Sequence, residues 1–294
     1  MCKTSYRSFK FSNDSVLLGD EDVPKEKVND IQMYYEIADF TNPWEEPEAL
    51  VLIHGYTSNA KFWFPQVPVF CREFKVITID SRGYGRTTVP QKGFTIKMMA
   101  SDLKVLLDKL KVDEAYILGH CMGGCIAQQF ALDYPEKVKG LVLFATFSQP
   151  LDSPLDWNSL KHMFTTVDLS DVAERSAPMA FSPTVDKDLL EWAKIEMKNA
   201  AKPYAGKMLK IMLNFSESLF TFNVTDQLKN VKAPTLVVVG KDDTTTPPKF
   251  SEIIHRNLPK SGMVLMSGFH YCSLEYPDEF NKIVLEFLRK LKRR

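Results

Sequence analysis

The chain has 294 residues, 45% of them hydrophobic, and its 37 lysines and arginines are balanced by 37 aspartates and glutamates. That length and apolar content suffice for a buried core, and we read one domain carrying an insertion rather than two small domains. The charge balance leaves no basic excess to attract nucleic acid and no acidic excess to suggest a solvated tail. Met1–Arg7 holds no apolar core of signal-peptide length, and no run reaches the roughly eighteen apolar residues a membrane helix needs, so a cytoplasmic protein without membrane insertion is expected. The cysteines Cys2, Cys71, Cys121, Cys125 and Cys272 are odd in number and irregularly spaced, which argues for reduced thiols rather than a disulfide framework.

Residues 1–30 are polar and aperiodic and read as an N-terminal extension with at most one short strand. Ile31–Ile37 suits an early strand, and Asn42-Pro43 marks the turn after it. Leu50–Ile53 is a continuous apolar run of the kind buried on both faces of a parallel sheet, and it leads into His54-Gly55-Tyr56-Thr57. Phe74–Ile79 is the next strand and ends in Asp80-Ser81-Arg82-Gly83-Tyr84-Gly85-Arg86, where Asp80 and Arg82 read as a pair that holds the loop. From Thr95, the residues Ile96, Met99, Leu103, Leu106, Leu107 and Leu110 recur at three- and four-residue steps, giving an amphipathic helix that lies on the sheet.

The stretch Ala115–Gly124 organises the chain. An apolar run stops at Gly119, presents Cys121 and restarts as a helix, so it reads as strand, sharp turn and helix N-terminus. Gly119 and Gly123 leave room for a strained backbone between them, which pushes Cys121 into the open. The bland alternative is a small buried Cys packed behind a sheet, and that reading suits Cys125, one helical turn further on. Pro135 ends the helix near Tyr134, and Gly140–Ala145 is another buried strand.

Residues 147–226 break this alternation. Prolines punctuate helical patches rich in Met, Phe and Trp, including Trp157, Met163, Phe164, Phe181, Trp192, Met208, Met212, Phe215 and Phe220, and the segment reads as an inserted helical cap. Alternation resumes with the strand Thr235–Gly240 and the turn Lys241-Asp242-Asp243-Thr244-Thr245-Thr246-Pro247. A helix over Lys249–Asn257 and a strand over Met263–Met266 lead to Gly268-Phe269-His270. Phe280, Ile283, Val284, Phe287, Leu288 and Leu291 then form one helical stripe, closed by basic residues that suit the negative end of the helix dipole.

Taken together these motifs resemble the α/β-hydrolase family, over roughly residues 31–146 and 233–289. The turn around Cys121 is similar to that family's nucleophile elbow, Gly-His-Ser-Met-Gly-Gly, with sulfur in place of the serine oxygen. The resemblance implies an α/β-hydrolase fold, mostly parallel central sheet flanked by helices, with core residues 31–146 and 227–294 and an inserted helical cap at 147–226. It implies a triad in the chain order Cys121, Asp243, His270, with Asp242 as the alternative acid, and it assigns the backbone N–H groups of Tyr56 and Met122 to an oxyanion hole. It also matches Glu275 and Pro277 to the family's His-x-x-x-x-Glu-x-Pro ending; His54, read on its own, is a residue that braces the loop rather than a catalytic one.

A helix N-terminus favours an anion, so the geometry that exposes a serine hydroxyl also favours a thiolate. The expected activity is therefore that of a cysteine-dependent hydrolase. It would cleave a small activated acyl substrate, such as a thioester, enol ester or lactone, through an acyl-enzyme. No cofactor or metal is implied: zinc on Cys121, Cys125, His270 and Cys272 is disfavoured because no Cys-x-x-Cys pair occurs. Three alternatives stay open: an acyltransferase using the same acyl-Cys, a low-turnover ligand-binding relative, and a serine esterase in which Cys121 replaces an original Ser. Oligomeric state and substrate identity are not set by the sequence.

Overall fold

The computed structural model describes residues 24–90, 94–151, 171, 176–201 and 215–292. Cys2, most of the 1–30 stretch, His162, the residues Trp157, Met163, Phe164, Met208 and Met212 of the expected cap, and the terminal Arg293 and Arg294 lie outside the described residues. Among those described, eight strands form one sheet: β1 Lys25–Val28, β2 Ile31–Ala38, β3 Ala49–Ile53, β4 Lys75–Ile79, β5 Ala115–His120, β6 Val138–Phe144, β7 Thr235–Gly240 and β8 Ser261–Met266. Their order is β1-β2-β4-β3-β5-β6-β7-β8. The β1–β2 and β2–β4 pairs are antiparallel, and every other pair is parallel. The architecture is an α/β-hydrolase fold.

The apolar runs explain the middle of the sheet. Every residue of β3, β5 and β7 is buried, as strands with helices on both faces must be. Five longer helices are α1 Ile96–Lys109, α2 Met122–Asp133, α3 Lys187–Ala201, α4 Pro248–Asn257 and α5 Pro277–Lys292. Helix α1 opens on Thr95, whose hydroxyl oxygen accepts the Met98 N–H at 3.2 Å, and buries Ile96, Met99, Leu103, Leu106 and Leu107. The core divides into two apolar clusters. One gathers α1, α2 and α4, and the other gathers α5 with Trp63, Phe70 and Phe74.

The expected Asp80–Arg82 pair is corrected. Asp80 accepts backbone N–H groups from Ala60 at 2.7 Å and Arg86 at 2.8 Å. Arg82 instead forks onto Asp102 of α1, with both bonds at 2.6 Å, and reaches Asp30 at 2.6 Å. A guanidinium this deeply buried needs a carboxylate held at fork geometry, and a neighbour two residues away on a turn cannot present one.

Candidate active site

Parallel strands end together, so the loops that follow them gather at one edge of the sheet. Ile53 pairs with Gly119, Gly119 with Leu143 and Gly240 with Met266, which brings the segments after β3, β5, β7 and β8 to that edge. Cys121 sits between β5 and α2 with φ 51° and ψ −114°, a conformation a non-glycine residue adopts only when its surroundings enforce it. Here they do. Its N–H continues the ladder to Phe144 O at 3.0 Å, and its carbonyl accepts from Thr146 Oγ1 at 2.6 Å, Gly124 N at 2.9 Å and Cys125 N at 3.2 Å. The turn also needs bare backbone on both sides, because a Cβ on Gly119 would overlap the Gly123 carbonyl and one on Gly123 would overlap that of Ile53.

The Cys121 side chain makes no capping bond to α2 and stays partly exposed, whereas Cys71, Cys125 and Cys272 are buried. Burial pushes the Cys125 and Cys272 thiols well above their ordinary range. Met122 is the first residue of α2, where a backbone N–H has no intrahelical acceptor. The loop carrying Tyr56 lies alongside: a Cβ on Gly55 would touch the Cys121 Cβ at 3.3 Å. His54 braces that loop, receiving the Ser81 N–H on Nε2 at 2.9 Å and donating from Nδ1 to Gly55 O at 2.7 Å. Burial lowers its pKa to about 4, so it is neutral. His120 lies beneath the elbow, stacked on Phe62, with Nε2 donating to His270 O at 3.2 Å.

Asp243 and His270 arrive on the loops after β7 and β8. His270 Nδ1 donates to Asp243 Oδ2 at 2.9 Å, and Asp243 Oδ1 accepts from Thr245 N at 2.8 Å and Thr246 N at 2.9 Å. Thr246 Oγ1 donates to Asp243 Oδ2 at 2.9 Å. The neighbouring Asp242 is exposed. Burial alone would lower the His270 pKa, but the Asp243 charge and hydrogen bond, with further contributions from the Cys121 side chain, raise it to about 10. Burial acts to raise the Asp243 pKa, and the charge of His270 with the surrounding hydrogen bonds outweighs it, leaving the carboxyl below its usual value.

Cys121, His270, Tyr56 and Thr246 line one cavity of about 190 Å³. Its other walls are largely apolar and include Phe147, Leu151, Met197, Leu219 and Phe220. Sequence reasoning missed Thr146 and Thr246, which fix the Cys121 carbonyl and the Asp243 carboxylate. The run Thr244-Thr245-Thr246 beside the acid was the available signal for Thr246, since hydroxyl residues just after an Asp commonly close such turns. Among the described residues, no three of His, Cys, Asp and Glu are grouped to hold a metal ion, and no helix is long and apolar enough to cross a membrane.

Comparison with known proteins agrees with the fold. The family model described as alpha/beta hydrolase fold matches residues 48–277. A Yersinia enterocolitica protein named "Putative carbamate hydrolase RutD" is 30% identical over 265 residues, spanning 87% of this chain and 92% of its own. The "3-oxoadipate enol-lactonase 2" of Acinetobacter baylyi is 24% identical over 246 residues, 82% of this chain and 89% of its own. Among solved structures, a thermophilic esterase from Thermogutta terrifontis with malate bound is similar at TM-score 0.80 and 26% identity, covering 92% of this chain and 98% of that one.

Proposed function

The chain belongs to the alpha/beta hydrolase family, and from that premise we propose that it is a cysteine-dependent hydrolase of activated acyl compounds. The observation that carries the reading is Cys121 itself: a partly exposed thiol held at positive φ on the helix N-terminus, in the same cavity as a histidine that is hydrogen-bonded to a buried aspartate. In this reading residues 147–226 form a cap over the core at 31–146 and 227–294, which accords with Met197, Leu219 and Phe220 facing Cys121 across the cavity.

The chemistry runs in two halves. His270 Nε2 holds the one proton it shares with Cys121, Sγ bonds to the acyl carbon, and the carbonyl electrons move onto oxygen, where the N–H groups of Tyr56 and Met122 stabilise them. Asp243 holds the ring and balances the charge of the imidazolium. When the oxygen electrons return, the bond to the leaving group breaks and that group departs with its electron pair, taking the proton from His270. Water then gives a proton to His270 and attacks the acyl carbon. Collapse breaks the C–S bond, releases the acid and restores the Cys121–His270 pair with its one shared proton on His270.

A sulfur nucleophile restricts the substrates. The tetrahedral intermediate can expel either the enzyme thiolate, with a parent pKa of about 8.5, or the leaving group. An alkoxide, with a parent near that of water at about 16, loses that competition. A thioester, enol ester or aryl ester does not. This accords with the relative named as an enol-lactonase, since an enol lactone opens with an enol leaving group. The test is kcat/KM for the ethyl ester, ethyl thioester and phenyl ester of one acid, in the native chain and in Cys121→Ser. The reading predicts that the native chain discriminates strongly against the ethyl ester. Equal rates for ethyl ester and ethyl thioester contradict it, and a Cys121→Ser variant far more active on the ethyl ester points to a serine esterase.

A further inference from the structure

Tyr271 follows His270 directly, and the chemistry above does not use it. Its ring is fixed on four sides. It stacks on His270 at 5.6 Å and meets His120 at 5.5 Å, Phe62 at 5.2 Å and Phe181 at 5.2 Å edge to face. Its backbone N–H donates to Ala180 O at 2.9 Å, so ring and backbone are both tied down. The residue is only 7% exposed, yet it lines the cavity that holds Cys121. Burial, with the charge of Cys121 adding to it, drives the phenol pKa far above its ordinary value, so the hydroxyl keeps its proton.

Three other hydroxyls of this cavity are engaged. Tyr56 shares its hydrogen bond with Ser216 at 2.7 Å, Thr57 donates to Tyr56 O at 2.7 Å, and Thr246 donates to Asp243. Among the described residues nothing hydrogen-bonds the Tyr271 hydroxyl, and that atom keeps some accessible surface on a residue that lines the cavity. A buried donor without a partner is unfavourable, and one that faces a cavity is satisfied by whatever fills it. We infer that Tyr271 is a specificity-determining residue whose hydroxyl donates to an uncharged oxygen acceptor on the acyl part of the substrate. The inference rests on Cys121 being the acylated nucleophile.

The chemical class follows from the walls. A phenol donates better than it accepts, because its lone pair is delocalised into the ring, so the partner is an acceptor. Phe147, Leu151, Met197, Leu219 and Phe220 line the same cavity, and a carboxylate placed among them, away from His270, loses more solvation than one neutral hydrogen bond returns. The cavity of about 190 Å³ is smaller than the roughly 300–1,000 Å³ of a pocket for a drug-sized ligand, which favours a short acyl group. The substrate is thus a short acyl group bearing a keto or ether oxygen on an otherwise apolar body.

Three ethyl thioesters share one shape and differ only in polarity: 4-methylpentanoyl, 4-oxopentanoyl and succinyl. Pentanoyl and 3-methoxypropanoyl thioesters form a second matched pair with the oxygen nearer the reacting carbon. We expect kcat/KM in the native chain to favour one of the neutral oxygen-bearing acyl groups over its apolar match by about threefold to tenfold, the range of one neutral hydrogen bond. Succinyl should be the poorest of its trio. In Tyr271→Phe, which keeps the ring, the preference should fall to about one. A preference that survives in Tyr271→Phe overturns the inference, as does a native chain that favours succinyl or shows no preference. Should that variant fail to fold, Tyr271→Leu, which also removes the hydroxyl, should likewise abolish the preference, and a native chain without the preference overturns the inference by itself. Acylation of Cys121 with a preference unchanged by Tyr271→Phe defeats only this inference, whereas failure of every thioester to acylate Cys121 removes the hydrolase reading with it.

Discussion

Asp243 Oδ2 and His270 Nδ1 stand 2.9 Å apart, with the two residues only 3% and 5% exposed. A pair this buried is linked to folding. The His270 pKa is about 10 in the folded chain against about 6.5 when unfolded, so the pair contributes its full stability below pH 6.5 and loses it as pH rises to 10. The Asp243 carboxyl lies below its ordinary value and remains ionised through that range. We therefore expect the Tm difference between the native chain and Asp243→Asn to be greatest between about pH 5.5 and 6.5 and to shrink steadily towards pH 10. A difference that grows with pH contradicts the pairing.

The same pair predicts an asymmetry in turnover. Asp243→Asn should reduce kcat by about a thousandfold or more, as loss of the orienting acid does in comparable triads, and His270→Ala should do at least as much damage. Asp242→Asn, on an exposed side chain one residue away, should stay within about twofold. Steady-state kinetics on a phenyl ester distinguish the two aspartates.

Acylation should change His270 itself. Part of its raised pKa comes from the Cys121 side chain, through a hydrogen bond and through charge, and both disappear once sulfur carries the acyl group. Hydrolysis of a preformed acyl-enzyme should therefore show its inflection below pH 10, where His270 loses its proton and becomes a base for water. Single-turnover rates from pH 6 to 10.5 test this, and a rate still climbing beyond pH 10 contradicts it.

The elbow gives a stability prediction. Gly123→Ala would drive a methyl group into the Ile53 carbonyl, a backbone atom that cannot rotate away, and should cost about 1–3 kcal/mol or more. Gly262→Ala on β8 meets nothing within 4 Å and should stay within about 0.5 kcal/mol. Denaturant midpoints for both variants provide the comparison.

Much of the fold was legible because the signals were local. The apolar runs at Leu50–Ile53 and Thr235–Gly240 end where β3 and β7 end, and Thr95 and Pro135 punctuate the helices they bound. What escaped depended on contacts distant in sequence. Arg82 finds Asp102 and Asp30 through folding, so reading it with the adjacent Asp80 misassigned its partner. The short helical turns Ala60–Trp63 and Thr225–Asn230 are too brief to show a period. The resemblance already preferred Asp243 to Asp242, and Asp243 is the one that meets His270; Tyr271 carries no motif at all, and its interest arises from a cavity assembled by segments distant in sequence.

The most direct test is the intact-protein mass after seconds of exposure to an activated thioester, followed by peptide mapping. The account predicts a transient increase equal to the acyl group, located on Cys121, long-lived in His270→Ala only if acylation still proceeds, and absent from Cys121→Ala. Turnover without any adduct on Cys121, or an adduct on another residue while Cys121→Ala remains active, would contradict it.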